Sequence, residues 1–406
     1  MNRKIPFSAC IVLVLIAALL TFQIVTVYDE VKYNKILDSH TVKPLDNPKL
    51  SEITALVNEY YVKDIDEEYL TSSLVYGYLF GIGDIHADYY NADAFEEYID
   101  SLQGNQTGIG IRVALQLLED KTTERLVIFE VMDNSPAKEA GVKEGDIVYS
   151  VDGVLYSELG YDEAIDRMLG ESGTVLTFEV LRGNRVVEFK VTRKHFESQL
   201  VSYKLTDANK EIGYIRIYQF GTATVSQFKN AVEDLKKQGA KKLIFDVRNN
   251  PGGEYESIVS ILDYLLPEGP IITTKDNSGN THTDTSDKNE LDMPMAILAN
   301  EGTASAAELF TAALLDYEKA IFVGKTTYGK GTVQRTFPLS DGSAVKFSVQ
   351  YYLPPSNESY DGVGIKPSEN YDIDLDIGEM ENMYLIEEER DNQLAAAIKY
   401  LESSGK

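Results

Sequence analysis

The stretch KKLIFDVRNNPGGEYESIVSILDYLL, residues 241–266, contains the pattern that decides the fold. Its first seven residues predict a strand, RNNPGG predicts a turn, and SIVSILDYLL predicts a helix. The same alternation occurs on both sides: we predict strands in residues 212–220, 293–300 and 319–327, and helices over 224–237, ending before Gly239, and 305–317. Alternating strands and helices indicate an α/β core whose largely parallel sheet is covered on both faces.

The remaining chain divides by its sequence pattern. Residues 104–195 contain short β-rich runs separated by turn residues, such as TGIGIRVAL and TVLTFEVLRG, which predicts a compact β-rich domain with one main helix over 161–169. We predict five divisions: residues 1–27 as a cytoplasmic tip and transmembrane anchor, 28–103 as a connector and helical region, 104–195 as the β-rich domain, 196–370 as the α/β core, and 371–406 as an acidic helical tail. Within the helical region we predict helices over 50–62, 67–80 and 92–102. We also predict a hairpin that turns at Asp341 and Gly342 in the core, and a helix from about 378 to 401 in the tail.

The composition excludes several classes of function. The chain of 406 residues is 43% hydrophobic and 25% charged, as expected for a globular protein, and its net charge of −27 would repel nucleic acid. The single cysteine, Cys10, excludes an intramolecular disulfide. The four histidines lie far apart without metal-ligand spacing, so we expect no metal and no cofactor.

The N-terminus carries a targeting signal. Arg3 and Lys4 precede the uncharged, mostly apolar run from Phe7 to Val27, about the twenty residues that a helix needs to cross a bilayer. The basic residues place the N-terminus in the cytoplasm and the rest of the chain outside. We therefore expect a single-pass protein of the cell membrane with its globular part on the extracytoplasmic side. A cleaved signal peptide is the alternative, although no A-x-A-like site follows the run.

Ser305, in NEGTASAAELF (residues 300–310), has two interpretations. Ser305 and Glu308 have the spacing of a capping box, in which the serine begins a helix. A hydroxyl at a helix N-terminus also lies beside free backbone N–H groups that could stabilise an oxyanion, so Ser305 could be a nucleophile among small neighbours.

A nucleophilic serine needs a base, and Lys330 in TYGKGTVQ is the candidate nearby in the sequence. A lysine in a turn is ordinarily protonated and inert. It becomes a base only where burial or a neighbouring positive charge lowers its pKa.

Two glycine pairs are further candidates. Gly252 and Gly253 follow a strand, where they could merely form a turn or could donate an oxyanion hydrogen bond. The segment from Gly108 to Ile111 could be a turn or bulge, or a nest of N–H groups that binds a peptide carboxylate.

Together and in this order, these motifs resemble the C-terminal processing (tail-specific) serine peptidases, from about Leu50 to Pro367. The motifs are D-x-R-N-N-x-G-G at residues 246–253, G-T-A-S-A-x-E at 302–308 and G-K-G-x-x-Q at 329–334. The resemblance implies a crotonase-like peptidase core with an inserted PDZ domain. It also implies protein or peptide substrates with free C-termini, and it suggests a homodimer.

Carried over residue by residue, the resemblance implies these roles: Ser305 as nucleophile, Lys330 as general base, Gln334 as its support, Ala306 with Gly252 or Gly253 as oxyanion donors, and Gly108, Ile109, Gly110 and Ile111 as the PDZ carboxylate loop. Asp316 also matches a position assigned to the site. Eleven residues along a helix place it about 16 Å from Ser305, so we expect it to be structural.

Two positions and one segment depart from the family pattern. Thr303 replaces a common serine, and Leu169 stands where an arginine usually precedes Gly170. The segment GDIHADYY, residues 83–90, retains Asp84, His86 and Tyr89 of a family motif, and we expect His86 to be structural. The main hypothesis is a membrane-anchored Ser/Lys endopeptidase. A catalytically silent peptide-binding protein and an acyl-transforming enzyme are the alternatives.

Overall fold

The structure, a computed structural model, describes residues 47–102, 105–118, 123–378 and 382–403. It contains two compact units that divide after Leu70. The first unit contains α1 (Pro48–Tyr60) and the start of α2 (Glu67–Gly81). The predicted anchor over residues 7–27 lies outside the described residues, and none of the helices described is both long and apolar enough to cross a membrane.

The second unit begins within α2, at Thr71, and continues with a region of mixed structure. β1 (Asp88–Tyr90) and α3 (Ala92–Leu102) follow α2, and α3 has the predicted bounds. α3 contacts β1 through Tyr98, whose ring stacks on the ring of Tyr90 with centroids 4.7 Å apart. This contact attaches the helix to the sheet that contains β1.

The β-rich region forms a small domain around its own core. Its elements are β2 (Asn105–Gly108), β3 (Ile111–Leu117), β4 (Glu124–Val131), α4 (Pro136–Ala140), β5 (Ile147–Val151), β6 (Val154–Leu155), α5 (Tyr156–Met168), β7 (Val175–Arg182), β8 (Arg185–Thr192) and β9 (Lys194–Glu197). The main sheet has the order β3-β4-β5-β7-β8, with β6 paired to β5, while β2 pairs with β9. The predicted helix over 161–169 begins five residues earlier, because a short helical segment precedes it and joins it across a kink at Gly160, whose φ is 73°.

The α/β core contains the predicted sheet. Its strands are β10 (Val201–Leu205), β11 (Ile212–Ile217), β12 (Lys242–Asp246), β15 (Met295–Ala299) and β16 (Ala320–Gly324), in the order β10-β11-β12-β15-β16. All neighbouring pairs are parallel except β10 with β11. The covering helices are α6 (Thr222–Gln238), α7 (Tyr255–Leu265), α8 (Ala306–Asp316) and α9 (Asn392–Ser403).

Alternate residues of the central strands bury two different faces of this sheet. Leu243 and Phe245 pack with α6, α7 and α8 in one cluster. Ile244, between them, packs with Leu394 and Leu401 of α9 in another cluster. The uninterrupted apolar run in KKLIFDV therefore has the cause that the sequence indicates: both faces of the strand are covered.

A second, five-stranded sheet contains strands that the sequence pattern did not predict. β18 (Ala344–Leu353) pairs antiparallel with β17 (Thr332–Pro338) on one side, and with β1 and β13 (Gly269–Asp276) on the other, while β14 (Thr281–Ser286) pairs with β13. The hairpin of β17 and β18 turns at Asp341 and Gly342, as predicted. β14 was missed because its sequence, THTDTS, contains no apolar residue, and β1 was missed because it has only three residues. β13 was also missed.

The prediction of a helical tail from about residue 378 is wrong in extent. Short 3₁₀ turns occupy Met383–Leu385 and Glu388–Arg390, and the α-helix begins only at Asn392. The interruption places Asp391 and Gln393 against the buried guanidinium of Arg248. Arg248 donates to Asp391 at 2.7 Å and to Gln393 at 3.0 Å, and it also donates to Asp246 at 2.6 Å.

We predict that Asp391→Ala lowers the free energy of unfolding by about 3–5 kcal/mol, because it leaves the Arg248 guanidinium buried with part of its partners removed. The exposed Asp376, changed to Ala, is the matched control. Urea unfolding followed by tyrosine fluorescence measures both, since the chain has 26 tyrosines and no tryptophan. Equal stability of the two variants would contradict the prediction.

Candidate active site

Three loops meet at one edge of the parallel sheet. β12, β15 and β16 are parallel neighbours, so the loops that follow them leave from the same edge. In chain order these loops carry Gly252 and Gly253, then Ser305, then Lys330. The catalytic candidates from three separate sequence motifs are therefore brought to one side of the molecule.

Backbone hydrogen bonds join the three loops. The Ala304 N–H donates to the Asn250 carbonyl at 2.9 Å, which joins the serine loop to the glycine loop. The Tyr328 N–H donates to the Thr303 carbonyl at 3.0 Å, which joins the lysine loop to the serine loop. Thr303, the departure from the family's serine, also donates its hydroxyl to the Val247 carbonyl at 2.8 Å.

Ser305 begins α8 in a strained conformation. Its φ of 55° and ψ of −121° are unusual for a residue with a side chain, and such a conformation costs about 1–3 kcal/mol. The Ser305 hydroxyl makes no cap hydrogen bond. The Glu308 N–H donates instead to the Ser305 carbonyl oxygen at 2.9 Å. The Ser305 N–H donates to Glu308 Oε2 at 2.9 Å, which is the glutamate half of the predicted capping box.

Gly252 lies directly against the nucleophile candidate. A side chain here would meet the Ser305 Cβ at 2.7 Å and the Ala306 nitrogen at 2.9 Å, and φ is +99°. Gly253 has a φ of +143°, and a Cβ there would lie 1.8 Å from the Phe220 carbonyl oxygen. Both positions therefore require glycine for physical reasons.

The N–H groups at this point are not equivalent. The Gly252 N–H donates to Asn250 Oδ1 at 2.8 Å. Within the part of the chain that the structure describes, the Gly253 N–H has no hydrogen-bond acceptor. The Ala306 N–H is in the first turn of α8, where backbone donors have no acceptor in their own helix. Gly253 and Ala306 are thus the two free donors beside Ser305.

The buried carboxylate of Glu308 joins the serine to the lysine loop. It accepts four hydrogen bonds: from the Ser305 N–H at 2.9 Å, the Thr327 hydroxyl at 2.6 Å, the Gly329 N–H at 2.6 Å and the Lys330 N–H at 2.7 Å. Burial raises the pKa of Glu308, although these bonds oppose the rise. The four donors suit an ionised carboxylate, which has only acceptor sites.

Lys330 and Ser305 line the same cavity, which has a volume of about 1180 Å³. Lys330 is partly buried. Burial lowers its pKa, and the positive charge of Lys346 lowers it further, while Asp84 and Glu308 oppose this change. The environment of Lys330 thus changes its pKa in the direction that a general base requires.

Gln334 also lines this cavity, but its amide makes bonds with other residues. Gln334 Nε2 donates to the Thr332 carbonyl at 3.0 Å and hydroxyl at 2.9 Å, and to the Ser348 hydroxyl at 3.3 Å.

Asp316 ends α8, away from the cavity, and Asp316 Oδ2 accepts a hydrogen bond from the Ser356 N–H at 2.9 Å.

His86 lies on the cavity wall, which the sequence did not predict. Burial lowers the pKa of His86, and the charge of Lys330 lowers it further. Asp84 fixes the segment by accepting from the His86 N–H at 3.0 Å and from the Ser348 N–H at 2.7 Å. His86 therefore belongs to the electrostatic surroundings of the lysine.

The predicted carboxylate loop lies at the start of β3. The Ile109 carbonyl accepts from the Ala137 N–H at 2.8 Å, and the Gly110 carbonyl accepts from the Met132 N–H at 3.0 Å. Gly110 has a φ of +76°, and a Cβ would lie 2.2 Å from the Ser135 Cβ. In the residues described, the N–H groups of Ile109 and Gly110 have no acceptor.

Leu169 is 55% exposed at the end of α5, where the Arg193 guanidinium donates to the last helical carbonyls.

The sequence did not indicate that the Glu308 carboxylate accepts hydrogen bonds from the lysine loop. Its spacing to Ser305 indicated a helix cap, and nothing in the sequence indicates that the same carboxylate bonds residues 19 to 22 positions later. Lys346 was also missed: the sequence predicts its hairpin, but not the pairing of β18 with β1.

Comparison with known proteins identifies two families in this chain. Residues 211–371 match the model of peptidase family S41, and residues 99–181 match the model of the PDZ domain. The first match contains all three loops of the cavity edge, and the second contains the loop from Gly108 to Ile111.

Relatives extend the match over most of the chain. A protein of Staphylococcus aureus, named as a probable CtpA-like serine protease, is 29% identical over 378 residues, 92% of this chain and 74% of its own length. A carboxyl-terminal-processing protease of Synechocystis is 36% identical over 278 residues, 67% of this chain and 65% of its own length. The crystal structure of an S41-family protein from Bacteroides fragilis has the same fold, with a TM-score of 0.59 at 18% identity, over 79% of this chain and 87% of that one. The chain therefore belongs to peptidase family S41, as a serine-type peptidase of the C-terminal processing group that contains a PDZ domain.

Proposed function

We propose that this peptidase is an exported, membrane-anchored endopeptidase that cuts proteins near their C-termini with a Ser305/Lys330 dyad. The observation that supports the dyad best is the Glu308 carboxylate, which bonds the backbone of both residues at 2.7–2.9 Å. A third side chain that fixes nucleophile and base relative to each other is the arrangement expected of a catalytic pair.

The first step is acylation. Neutral Lys330 accepts the proton of the Ser305 hydroxyl, and Ser305 Oγ attacks the scissile carbonyl carbon. The carbonyl oxygen becomes an oxyanion that accepts hydrogen bonds from the N–H groups of Ala306 and Gly253. These are the two donors beside Ser305 that are not already used, whereas Gly252 fixes the turn through Asn250.

Collapse of this intermediate completes the cut. The scissile C–N bond breaks, and the Lys330 ammonium returns its proton to the leaving amine. Water then attacks the ester on Ser305, and Lys330 accepts the water proton. The bond between the acyl carbon and Ser305 Oγ breaks, Lys330 returns the proton to Oγ, and the new C-terminus is released. Gln334 would contribute by holding the strand β17 next to Lys330 through its bonds to Thr332 and Ser348.

Binding of the substrate tail falls to the PDZ domain in this proposal. A peptide would add to the edge of β3 with its terminal carboxylate at residues 108–111, where the Ile109 and Gly110 N–H groups have no acceptor among the described residues. The free C-terminus would therefore select the substrate, and the catalytic cavity would receive a segment of the chain before it.

We predict that Ser305→Ala and Lys330→Ala each reduce kcat for an unstructured protein such as casein by about 10⁴-fold or more, and that the double variant is no slower than either single variant. The non-additive result is expected because neither residue works without the other. Mass spectrometry of the fragments measures the rate and the position of the cuts, with the exposed Ser368→Ala as control. Retained cleavage in Lys330→Ala would rule out the dyad.

We predict that Lys346→Gln shifts the acidic limb of the pH profile of kcat/KM toward higher pH. Lys330 acts as a base only when neutral, and loss of the Lys346 charge raises the pKa of Lys330, so a higher pH is needed to deprotonate it. Protonation of Glu308 could also produce an acidic limb, but that limb would stay in place in this variant. The exposed Lys366→Gln is the control, and an unshifted Lys346→Gln profile would contradict Lys330 as base.

We predict that the full chain stays with the membrane pellet after an alkaline carbonate wash, and that deletion of residues 7–27 releases it into the supernatant. The apolar run of about twenty residues supports this expectation. Release of the unaltered chain by the same wash, in a form shortened at its N-terminus, would favour a cleaved signal peptide instead.

A further inference from the structure

The 382–385 turn (Asn382–Leu385) lies between the PDZ domain and the peptidase core. Its 3₁₀ helix covers Met383–Leu385, and Asn382 is the N-cap. The turn contacts one strand edge in the PDZ domain and the glycine loop of the active site, and no role in catalysis or binding assigned above uses it.

The edge of β3 is open where a peptide would add. β3 ends its sheet, and the described residues contain no strand paired to its outer side. The Leu118 N–H donates to the carbonyl oxygen of Thr123, the residue before β4, at 2.8 Å. Because hydrogen-bonded residues alternate along an antiparallel pair, Val113 and Leu115 direct their N–H and C=O groups to the open edge.

Asn382 occupies one of these open acceptors. Asn382 Nδ2 donates to the Leu115 carbonyl at 3.1 Å. The orientation of the amide is fixed by a second bond, because Asn382 Oδ1 accepts from the Tyr384 N–H at 3.1 Å. The side chain therefore presents its donor, and not its acceptor, to the strand edge.

Contacts on both sides hold the turn in place. The Tyr384 ring stacks on Phe129 of β4 with centroids 4.6 Å apart and planes within 11°. The Arg216 guanidinium of the core lies 4.5 Å from the centre of the same ring. Asn249, in the glycine loop, donates to the Met383 sulfur at 2.8 Å. The turn is thus attached to both domains by side chains of the described residues.

We propose that Asn382 limits the length of the substrate tail that the PDZ domain reads as a β-strand. This inference rests on the proposed binding of tails along β3. An antiparallel peptide whose carboxylate lies at residues 108–111 would pair first with Val113 and then, about four residues from its end, with Leu115. Asn382 already supplies the donor at Leu115. The part of the peptide that is paired with β3 therefore ends at Leu115. The peptide residues on its N-terminal side leave the β3 edge next to the 382–385 turn, which contacts the glycine loop.

The test measures how affinity depends on peptide length. Full-length Ser305→Ala protein, which does not cut, is titrated with fluorescein-labelled peptides of three, four, six and eight residues that share one C-terminal sequence and a free carboxylate. Anisotropy should show affinity rising up to about four residues and then no further. In Ser305→Ala with Asn382→Ala, the eight-residue peptide should bind about three- to tenfold tighter than the four-residue peptide, as expected for the strand bond regained.

Two further variants keep the test sharp. Asn382→Asp retains the acceptor for the Tyr384 N–H, and so the turn, but has no donor for Leu115; it should also gain affinity with length. Asn370→Ala, an exposed change elsewhere, should behave as the parent does.

The possible failures are distinguishable. The same length dependence in the parent, Asn382→Ala and Asn382→Asp proteins would overturn the role of Asn382 while leaving tail binding intact. Absence of binding at every length, or equal binding of amidated peptides, would overturn tail recognition by the PDZ domain, and the role of Asn382 with it.

Discussion

The buried Glu308 carboxylate is the interaction on which the rest of the site depends. It lies in the first turn of α8, so it moves with Ser305, and its bonds to Thr327, Gly329 and Lys330 fix the loop that carries the lysine. Without these bonds, the two loops would be joined at this end by backbone contacts such as that between Tyr328 and Thr303. A single side chain thus converts the order of two sequence motifs into a fixed spatial relation.

A second buried carboxylate supports the other side of the site. Asp246 is the last residue of β12, and its carboxylate accepts a hydrogen bond from the guanidinium of Arg248. Arg248 lies at the start of the loop that leads to Gly252 and Gly253. Arg248 is held in turn by Asp391 and Gln393, at the start of the C-terminal helix. The tail is therefore part of the scaffold of the glycine loop, and its contact with Asn249 through Met383 extends the same support toward the PDZ domain.

The sequence predicted the parallel sheet well because its signal is local. A strand such as KKLIFDV is covered on both faces, so its apolar run is continuous. The helix over residues 222–238 ends at Gly239, whose φ of 106° is a left-handed conformation that favours glycine. The second sheet was largely missed because β14 faces solvent with Thr and Asp. In the site, spacing and family motifs named Ser305, Lys330 and the glycines, but the partners of Glu308 and the nearness of Lys346 depend on long-range packing. The same holds for the Gln334 amide, whose bonding to Thr332 and Ser348 no local pattern indicates.

The two buried carboxylates affect stability in opposite directions. Arg248 and Arg216 overcome the effect of burial and lower the pKa of Asp246, so ionised Asp246 stabilises the fold above its unfolded pKa, and this stabilisation is lost only as pH falls through the lowered value. Burial raises the pKa of Glu308, so its contribution to stability is greatest at low pH and is lost as pH rises through the raised value. The buried Glu308 carboxyl, the strained Ser305 and the partly desolvated Lys330 all cost free energy in the folded state. These unfavourable terms fall on three hydrogen-bonded neighbours, as expected of a catalytic site. The Asp246 network lies at the same end of the parallel strands, on the other face of the sheet, and its favourable interactions offset part of this free energy.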